Sequence, residues 1–247
     1  MSIQYGSQIL EKEYMVSDLE VKIQDLVDNW WIESNDIKRG SLIEAFVPHV
    51  DQIPYQFEPI GRTDPKEHDK AEVLVKPLKI GEALQKVPLP VAGMPRILKH
   101  EYWSAYRAKT RPCLVLSGPG DEVDKALTRK MPNNSTAPTL IVIPYYGISQ
   151  GQKRAGYNPL FVERVRHITY KQFFYDELPH TRGEPSILRF DHILSIGAHT
   201  KSYKPLGYRL GDEALEIVNE YLQWNILGGV EHDAFILEFK ELVSVPQ

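Results

Sequence analysis

Short apolar runs that end at glycine or proline recur through the middle of the chain and predict β-strands. The runs are rich in β-branched residues and too short for ordinary helices. We expect the main strands at 39–48, 72–76, 113–117, 138–144 and 187–196. Shorter strands are expected at 161–162, 167–170 and 207–210.

Two segments carry helix signals. Residues 17–20 form a capping box of Ser, Asp, Leu and Glu, and apolar residues follow at helical spacing, which predicts a helix from about 18 to 33. A second helix should begin at Asp212 and stop at Gly228. Its apolar stripe is expected to comprise Leu215, Val218, Leu222 and Ile226. The tail at 234–245 fits either a strand or a further helix.

The longest predicted strand places two opposite charges two residues apart. Residues i and i+2 of a strand point to the same face, so Arg189 and Asp191 would project together. Such a pair can hold a phosphate and move a proton, or it can be a plain salt bridge. The two residues by themselves leave both roles open.

Residues 49–100 differ from the rest of the chain because they are rich in proline and carry a charged stretch at 64–70. A long segment of this kind is usually functional or partly disordered. We therefore divide the chain into an N-terminal helical extension, 1–36, and a single domain, 37–247. This domain would contain an insertion at about 49–100 and a tail after 228. The expected fold class is α+β, rich in β-structure.

Length and composition indicate a globular protein, since the chain has 247 residues and 42% hydrophobic content. No stretch reaches the roughly 18 to 20 apolar residues of a membrane helix. The first residues also lack the pattern of a secretory signal, so the expected location is the cytoplasm. Cys113 is the single cysteine, which excludes an internal disulfide and a multi-cysteine zinc site.

Charge is distributed unevenly along the chain, although the net charge is only −4. Residues 96–171 contain 13 Lys or Arg against 5 Asp or Glu. Residues 1–34 contain 2 against 7, and residues 211–247 contain 1 against 8. A basic centre suits an anionic partner such as nucleic acid. The alternative is that these charges spread around the fold without forming a patch.

Neither a metal ion nor a cofactor is expected. The histidines that could act as ligands lack short paired spacing and cysteine partners. They are His167, His180, His192, His199 and His232. A glycine-rich segment at 118–120 follows a predicted strand, but no Gly-Lys-Ser/Thr ending or GxGxxG spacing accompanies it. A phosphate-binding loop of either type is therefore excluded.

Five segments match, in order, the sequence motifs of a known protein family. They are the opening strand at 40–43, the "TRPxLVLS" match at 110–117, the "VVVP" match at 140–144, the "xRxDQxxxI" match at 188–196 and the helix at 212–226. On these motifs the chain resembles the PemK/Kid/MazF toxins of bacterial toxin and antitoxin pairs. The five matching segments themselves comprise 41 of the 247 residues.

The resemblance implies an SH3-like barrel that cleaves single-stranded RNA without a metal, through a 2′,3′-cyclic phosphate. It also implies a homodimer that is restrained by a protein antitoxin. By match, Asp191 would be the base, Arg189 the acid or the phosphate stabiliser, and Arg111 a further phosphate contact. Further candidates for RNA contact are Thr110, Tyr145, Tyr146, His192, Lys153 and Arg154.

Tyr145 and Tyr146 stand where the family commonly carries threonine or serine. A tyrosine hydroxyl can donate a hydrogen bond and its ring can stack on a splayed base, but the side chain can equally block a groove. The alternative function is therefore a catalytically inactive module of the same fold that binds a protein partner or nucleic acid.

Overall fold

A computed structural model describes residues 21–79, 81, 101–131, 136–149 and 156–243 of the chain. Its strands are β1 (Trp31–Glu33), β2 (Ser41–Pro48), β3 (Tyr55–Gly61), β4 (Glu72–Pro77), β5 (Ser104–Ala105), β6 (Ala108–Ser117), β7 (Thr139–Gly147), β8 (Phe173–Leu178), β9 (Glu184–Arg189), β10 (Leu194–Gly197) and β11 (Tyr203–Leu210). Its α-helices are α1 (Lys125–Thr128), α2 (Pro159–Arg166), α3 (Asp212–Leu227) and α4 (Phe235–Val243). Short 3-10 helices span Ile23–Leu26, Pro179–Thr181 and Phe190–His192.

The strands form two sheets. The larger sheet has the order β1-β11-β2-β6-β7-β9-β8, with β10 paired to β7, and the smaller has the order β4-β3-β5. Neighbours such as β1 and β11, or β7 and β9, run antiparallel. The chain is therefore a strand-rich α+β protein, as expected. Within the residues described neither sheet closes on itself, so the SH3-like barrel is not confirmed.

The chain divides into two compact units. The first consists of Met1–Glu44 and Pro112–Gln247, and the second of Ala45–Arg111. In the second unit β3 pairs with β4 on one side and with β5 on the other. The domain boundaries expected from the sequence, with an extension at 1–36 and an insertion at about 49–100, stay a prediction.

The hydrophobic core of the first unit combines side chains of the larger sheet with those of α3 and α4. Because alternate residues of a strand share a face, the sheet contributes Tyr145, Phe174 and Leu188 from three neighbouring strands. Tyr221 of α3 lies among them, with ring centroids 4.9 Å from Phe174 and 5.8 Å from Phe190. This core fixes the strands that carry the site described below.

The predicted C-terminal helix is confirmed as α3. Gly228 follows it with a φ of 82°, a left-handed conformation that glycine adopts readily and that commonly ends helices. The buried face consists of Ala214, Ile217, Val218 and Tyr221. Ile226, which was expected on this face, is 61% exposed, whereas Trp224 of the same turn packs against the core. The tail, which fits a strand or a helix by sequence, forms α4.

The helix expected at about 18–33 is wrong in its described part. Ile23–Leu26 forms a 3-10 helix, and Trp31–Glu33 pairs with β11 as a strand. Trp30 explains the difference, because its ring stacks on Phe174 with a centroid distance of 5.8 Å. This long-range contact and the strand pairing outweigh a local preference for helix. The capping box itself lies outside the described residues.

Two short strands, expected at 161–162 and 167–170, are also wrong. The first segment lies in α2 and the second in the turn and loop that follow it. Asn158 caps this helix by accepting a hydrogen bond from the backbone nitrogen of Leu160 at 2.9 Å, and Pro159 occupies its first turn. Both features favour the start of a helix, so capping chemistry decides the local structure.

Candidate functional site

The longest predicted strand is in fact two strands separated by a short 3-10 helix. β9 pairs with β7 through Leu188 and Tyr145, and β10 pairs with the same strand through Leu194 and Val142. These two pairs are three residues apart along β7 but six residues apart along the segment that pairs with it. The extra residues include the 3-10 helix Phe190–His192. This bulge redirects the side chains that would otherwise alternate across the sheet.

Arg189 and Asp191 form a bidentate ion pair, although they do not share one strand. The Nε atom of Arg189 donates to Oδ1 of Asp191 at 2.8 Å, and Nη2 donates to Oδ2 at 2.6 Å. The two side chains are 20% and 35% exposed. The sequence leaves it open whether this pair forms a salt bridge. In the structure the salt bridge is present, and the guanidinium binds both carboxylate oxygens.

The ion pair shifts the pKa values of both groups. Burial raises the pKa of Asp191, but the hydrogen bonds and charge of Arg189 outweigh this, so the pKa lies below its usual range. For Arg189, burial lowers the pKa, but the contacts with Asp191 and Tyr157 outweigh burial and raise the pKa above its usual value. A carboxylate with a lowered pKa is a weak base. In this geometry Asp191 is better suited to orient Arg189 than to take a proton.

His192 connects the ion pair to Tyr146. Nη2 of Arg189 donates to Nε2 of His192 at 2.8 Å, and the Tyr146 hydroxyl lies 2.6 Å from Nδ1 of the same ring. Because arginine has no acceptor, Nε2 must accept, and the neutral imidazole carries its proton on Nδ1. The imidazole therefore donates to the tyrosine oxygen, and the tyrosine O–H can donate in turn.

Two aromatic rings flank the guanidinium of Arg189. Its Cζ atom lies 5.3 Å from the ring centroid of Tyr146 and 5.0 Å from that of Phe173. Phe173 stands directly opposite Arg189 in the pairing of β8 with β9, so the sheet register fixes this contact. Cation–π contacts of this kind hold the planar cation in place.

The structure brings together four of the residues singled out from the sequence. They are Arg189, Asp191, His192 and Tyr146. Thr110, which is exposed, and Arg111, which is half-buried, lie on β6 and belong to the second unit. Lys153 and Arg154 lie outside the described residues.

Tyr145, which the sequence suggested as an RNA contact, is a core residue. Its side chain is 1% exposed, and its hydroxyl donates to Oδ2 of Asp176 at 2.8 Å. Burial, and then the neighbouring carboxyl group, raises the pKa of Tyr145 well above its usual value. Tyr146 is the next residue of β7 and points to the opposite face of the sheet. Therefore one of the two adjacent tyrosines reaches the site.

Sequence reasoning missed Asp176, a carboxyl group that is fully buried. It accepts hydrogen bonds from Tyr145, from Nε1 of Trp30 at 3.0 Å and from the backbone nitrogen of Glu177 at 2.8 Å. Burial raises the pKa of Asp176 to about 7, against the hydrogen bonds, which lower it. The alternation within β8 could have revealed the group, because Asp176 shares the inward face with Phe174.

Other lines of comparison add little to this geometry. In the part of the chain that the structure describes, no group of three or more His, Cys, Asp or Glu residues is arranged to hold a metal ion. No described helix has both the length and the apolar character needed to span a bilayer. Comparison with protein-family models, curated proteins and solved structures finds no match to the chain. The resemblance to PemK-like toxins therefore rests on the sequence motifs.

Proposed function

We propose that the chain is a metal-independent endoribonuclease that cleaves single-stranded RNA at the site around Arg189. The observation that carries this proposal is a guanidinium, an imidazole and a phenol linked by hydrogen bonds of 2.8 and 2.6 Å. The reaction needs positive charge on the phosphate oxygens and two groups that move protons. The three side chains supply these functions.

In the proposed reaction the ribose 2′-oxygen attacks the adjacent phosphorus, and the bond from phosphorus to the 5′-oxygen breaks. The proton of the 2′-hydroxyl goes to Nε2 of His192 after Arg189 has turned from that nitrogen toward the phosphate. Tyr146 protonates the leaving 5′-oxygen and regains a proton from Nδ1 of His192. The products are a 2′,3′-cyclic phosphate and a 5′-hydroxyl.

Arg189 stabilises the charge on the phosphate, for which the planar fork of a guanidinium is well suited. Asp191 is a positioning residue that holds this fork before substrate binds. The motif match gives Asp191 the role of base instead. We prefer His192, because both oxygens of Asp191 bind Arg189 and its pKa is lowered.

The family motifs support the remaining parts of the proposal. The fold would be an SH3-like barrel, the active form a homodimer and the location the cytoplasm. A protein antitoxin with an acidic segment would cover Arg189 and inhibit cleavage. Light scattering tests the dimer directly, since a monomer at all accessible concentrations would contradict this part of the proposal.

A second function is favoured by the ion pair itself. Arg189 already binds Asp191 with two hydrogen bonds, so a phosphate must compete with an internal carboxylate for the guanidinium. A module that has lost catalysis and binds RNA or a protein partner would tolerate this arrangement. Cleavage assays distinguish the two functions.

The test is incubation of a long RNA with purified protein in EDTA, followed by the same assay with Arg189→Ala and His192→Gln. Loss of cleavage in both variants supports the enzyme. Arg209→Ala is the matched control, because Arg209 is likewise a mostly buried arginine of the same unit that forms an ion pair, in this case with Asp212 at 2.9 Å. This variant should cleave normally. Absence of cleavage by every form, together with a tight RNA or protein complex, would support the binding module.

A further inference from the structure

Four aromatic side chains next to the site form a cluster that we call the aromatic stack, made of Tyr157, Phe161, Tyr170 and Phe173. The ring of Phe161 lies between two others, with centroid distances of 5.4 Å to Tyr157 and 5.7 Å to Tyr170. Interplanar angles of 23° and 27° show that the three rings are stacked. The edge of Phe173 contacts Phe161 at 5.2 Å.

The aromatic stack lies outside the hydrophobic core. The core takes Phe174 from β8 and Leu188 from β9, whereas the stack uses Phe173, which points to the opposite face. On that face Val165 and Ile187 are almost completely buried, with exposed fractions of 1% and 0%. The four rings of the stack are only half-buried. Packing of α2 against the sheet therefore leaves parts of these rings in contact with solvent.

The aromatic stack is joined to the Arg189 guanidinium at two points. Phe173 contacts the cation at 5.0 Å, and the hydroxyl of Tyr157 forms a hydrogen bond with it. Two exposed cations, Arg164 and Lys171, belong to the same short segment of chain. Half-buried aromatic rings beside several cations are what proteins use to bind single-stranded nucleic acid, in which unpaired bases stack on rings and phosphates meet cations.

We propose that the aromatic stack holds one unpaired base of single-stranded RNA, with the base on Tyr157 and its phosphate at Arg189. This inference rests on the proposed function, since it assigns a base-binding subsite to the same centre. Stacking accepts any base because every base has a π-face. The subsite therefore selects unpaired over paired nucleotides and is insensitive to the ribose 2′-hydroxyl.

Binding to DNA decamers tests the subsite without any cleavage step. Fluorescence anisotropy in EDTA would compare labelled single-stranded oligothymidine with an abasic decamer, which has the same phosphates and no bases. Wild-type protein should bind oligothymidine more tightly than the abasic strand. Compared with Tyr157→Phe, which lacks the same hydroxyl, Tyr157→Ala should bind oligothymidine about 5- to 150-fold more weakly and bind the abasic strand equally well.

Tyr157→Phe is the matched variant, because it keeps the ring and removes the hydroxyl. Like Tyr157→Ala, it loses the hydrogen bond to Arg189, so a difference between the two variants in oligothymidine binding reports stacking on the ring alone. Equal binding of the abasic strand by both variants separates lost stacking from misfolding. Equal binding of the abasic and base-containing strands, or no binding of either, would overturn the proposal. So would capture of a protein partner at this surface with no affinity for oligothymidine.

These outcomes do not depend on catalysis. A protein that cleaves RNA but ignores the bases of the DNA decamer would refute the subsite and keep the proposed function. A protein that binds through Tyr157 but never cleaves RNA would support the subsite and refute the proposed function.

Discussion

Asp176→Asn removes a buried carboxyl group and leaves the size and shape of the side chain nearly unchanged. The carboxyl group is 0% exposed and accepts hydrogen bonds from Trp30, Tyr145 and the backbone of Glu177. The asparagine carbonyl oxygen can still accept from the indole, and its amide can donate to the tyrosine oxygen. The substitution therefore removes ionisation more than it removes contacts.

The pKa of Asp176 determines the size and sign of the effect. Its pKa of about 7, against an ordinary value of 3.8, corresponds to about 4 kcal/mol at roughly 1.4 kcal/mol per pH unit. The folded protein holds this proton more tightly than the unfolded chain does. The contribution to stability is therefore complete below pH 3.8 and is lost as the pH rises to about 7.

Urea unfolding at pH 5 and pH 8 measures this contribution. The wild-type protein and Asp176→Asn differ in their free energy of unfolding. This difference, wild type minus variant, should be about 3 kcal/mol lower at pH 8 than at pH 5. Asp191→Asn is the control, because the lowered pKa of Asp191 places its titration below this range. A difference for Asp176→Asn that does not change with pH would refute the assignment of a raised pKa to this group.

Two further predictions concern contacts that hold the core together. A Cβ atom at Gly211 would lie 2.4 Å from the carbonyl oxygen of Asn29, so Gly211→Ala should lower the free energy of unfolding by about 1–3 kcal/mol. An unchanged urea midpoint would contradict this. Glu220 accepts hydrogen bonds at 3.1 and 3.0 Å from the first two backbone nitrogens of α4, so Glu220→Ala should cost about 1–2 kcal/mol. It should also speed hydrogen exchange in α4, and normal protection there would count against the capping role.

Elements with local signals were predictable from the sequence. The strands β2 and β7 are apolar runs ended by proline or glycine, and α3 has acidic residues in its first turn and Gly228 after its last. The signals for α2 were also local, in Asn158 and Pro159, but two short apolar segments suggested strands instead. Here capping was the better guide than apolar spacing.

Features that depend on distant partners were not predictable. Trp30 leaves the expected helix because Phe174 and Asp176, more than 140 residues away, hold its ring and its indole nitrogen. The Arg189 and Asp191 pair was anticipated, yet from strand alternation rather than from the bulge that produces it. The bulge arises because β7 pairs with β9 in one register and with β10 in another, and no local sequence pattern encodes this difference.

The aromatic stack shows the same limit. Tyr157 and Phe161 have helical spacing, but Phe173 reaches them only because β8 pairs with β9 opposite Arg189. His192 was noted for its place in a motif, and its link between Arg189 and Tyr146 depends on the pairing of β7 with β9. Sequence therefore indicated which side chains could take part, and the sheet determined which of them meet.

The most direct test of the central claim is analysis of the RNA ends produced by wild-type protein in EDTA. The account predicts 2′,3′-cyclic phosphates and 5′-hydroxyls, at a rate that His192→Gln lowers by about 10²- to 10⁴-fold. Intact RNA, or ends that carry 5′-phosphates, would contradict it.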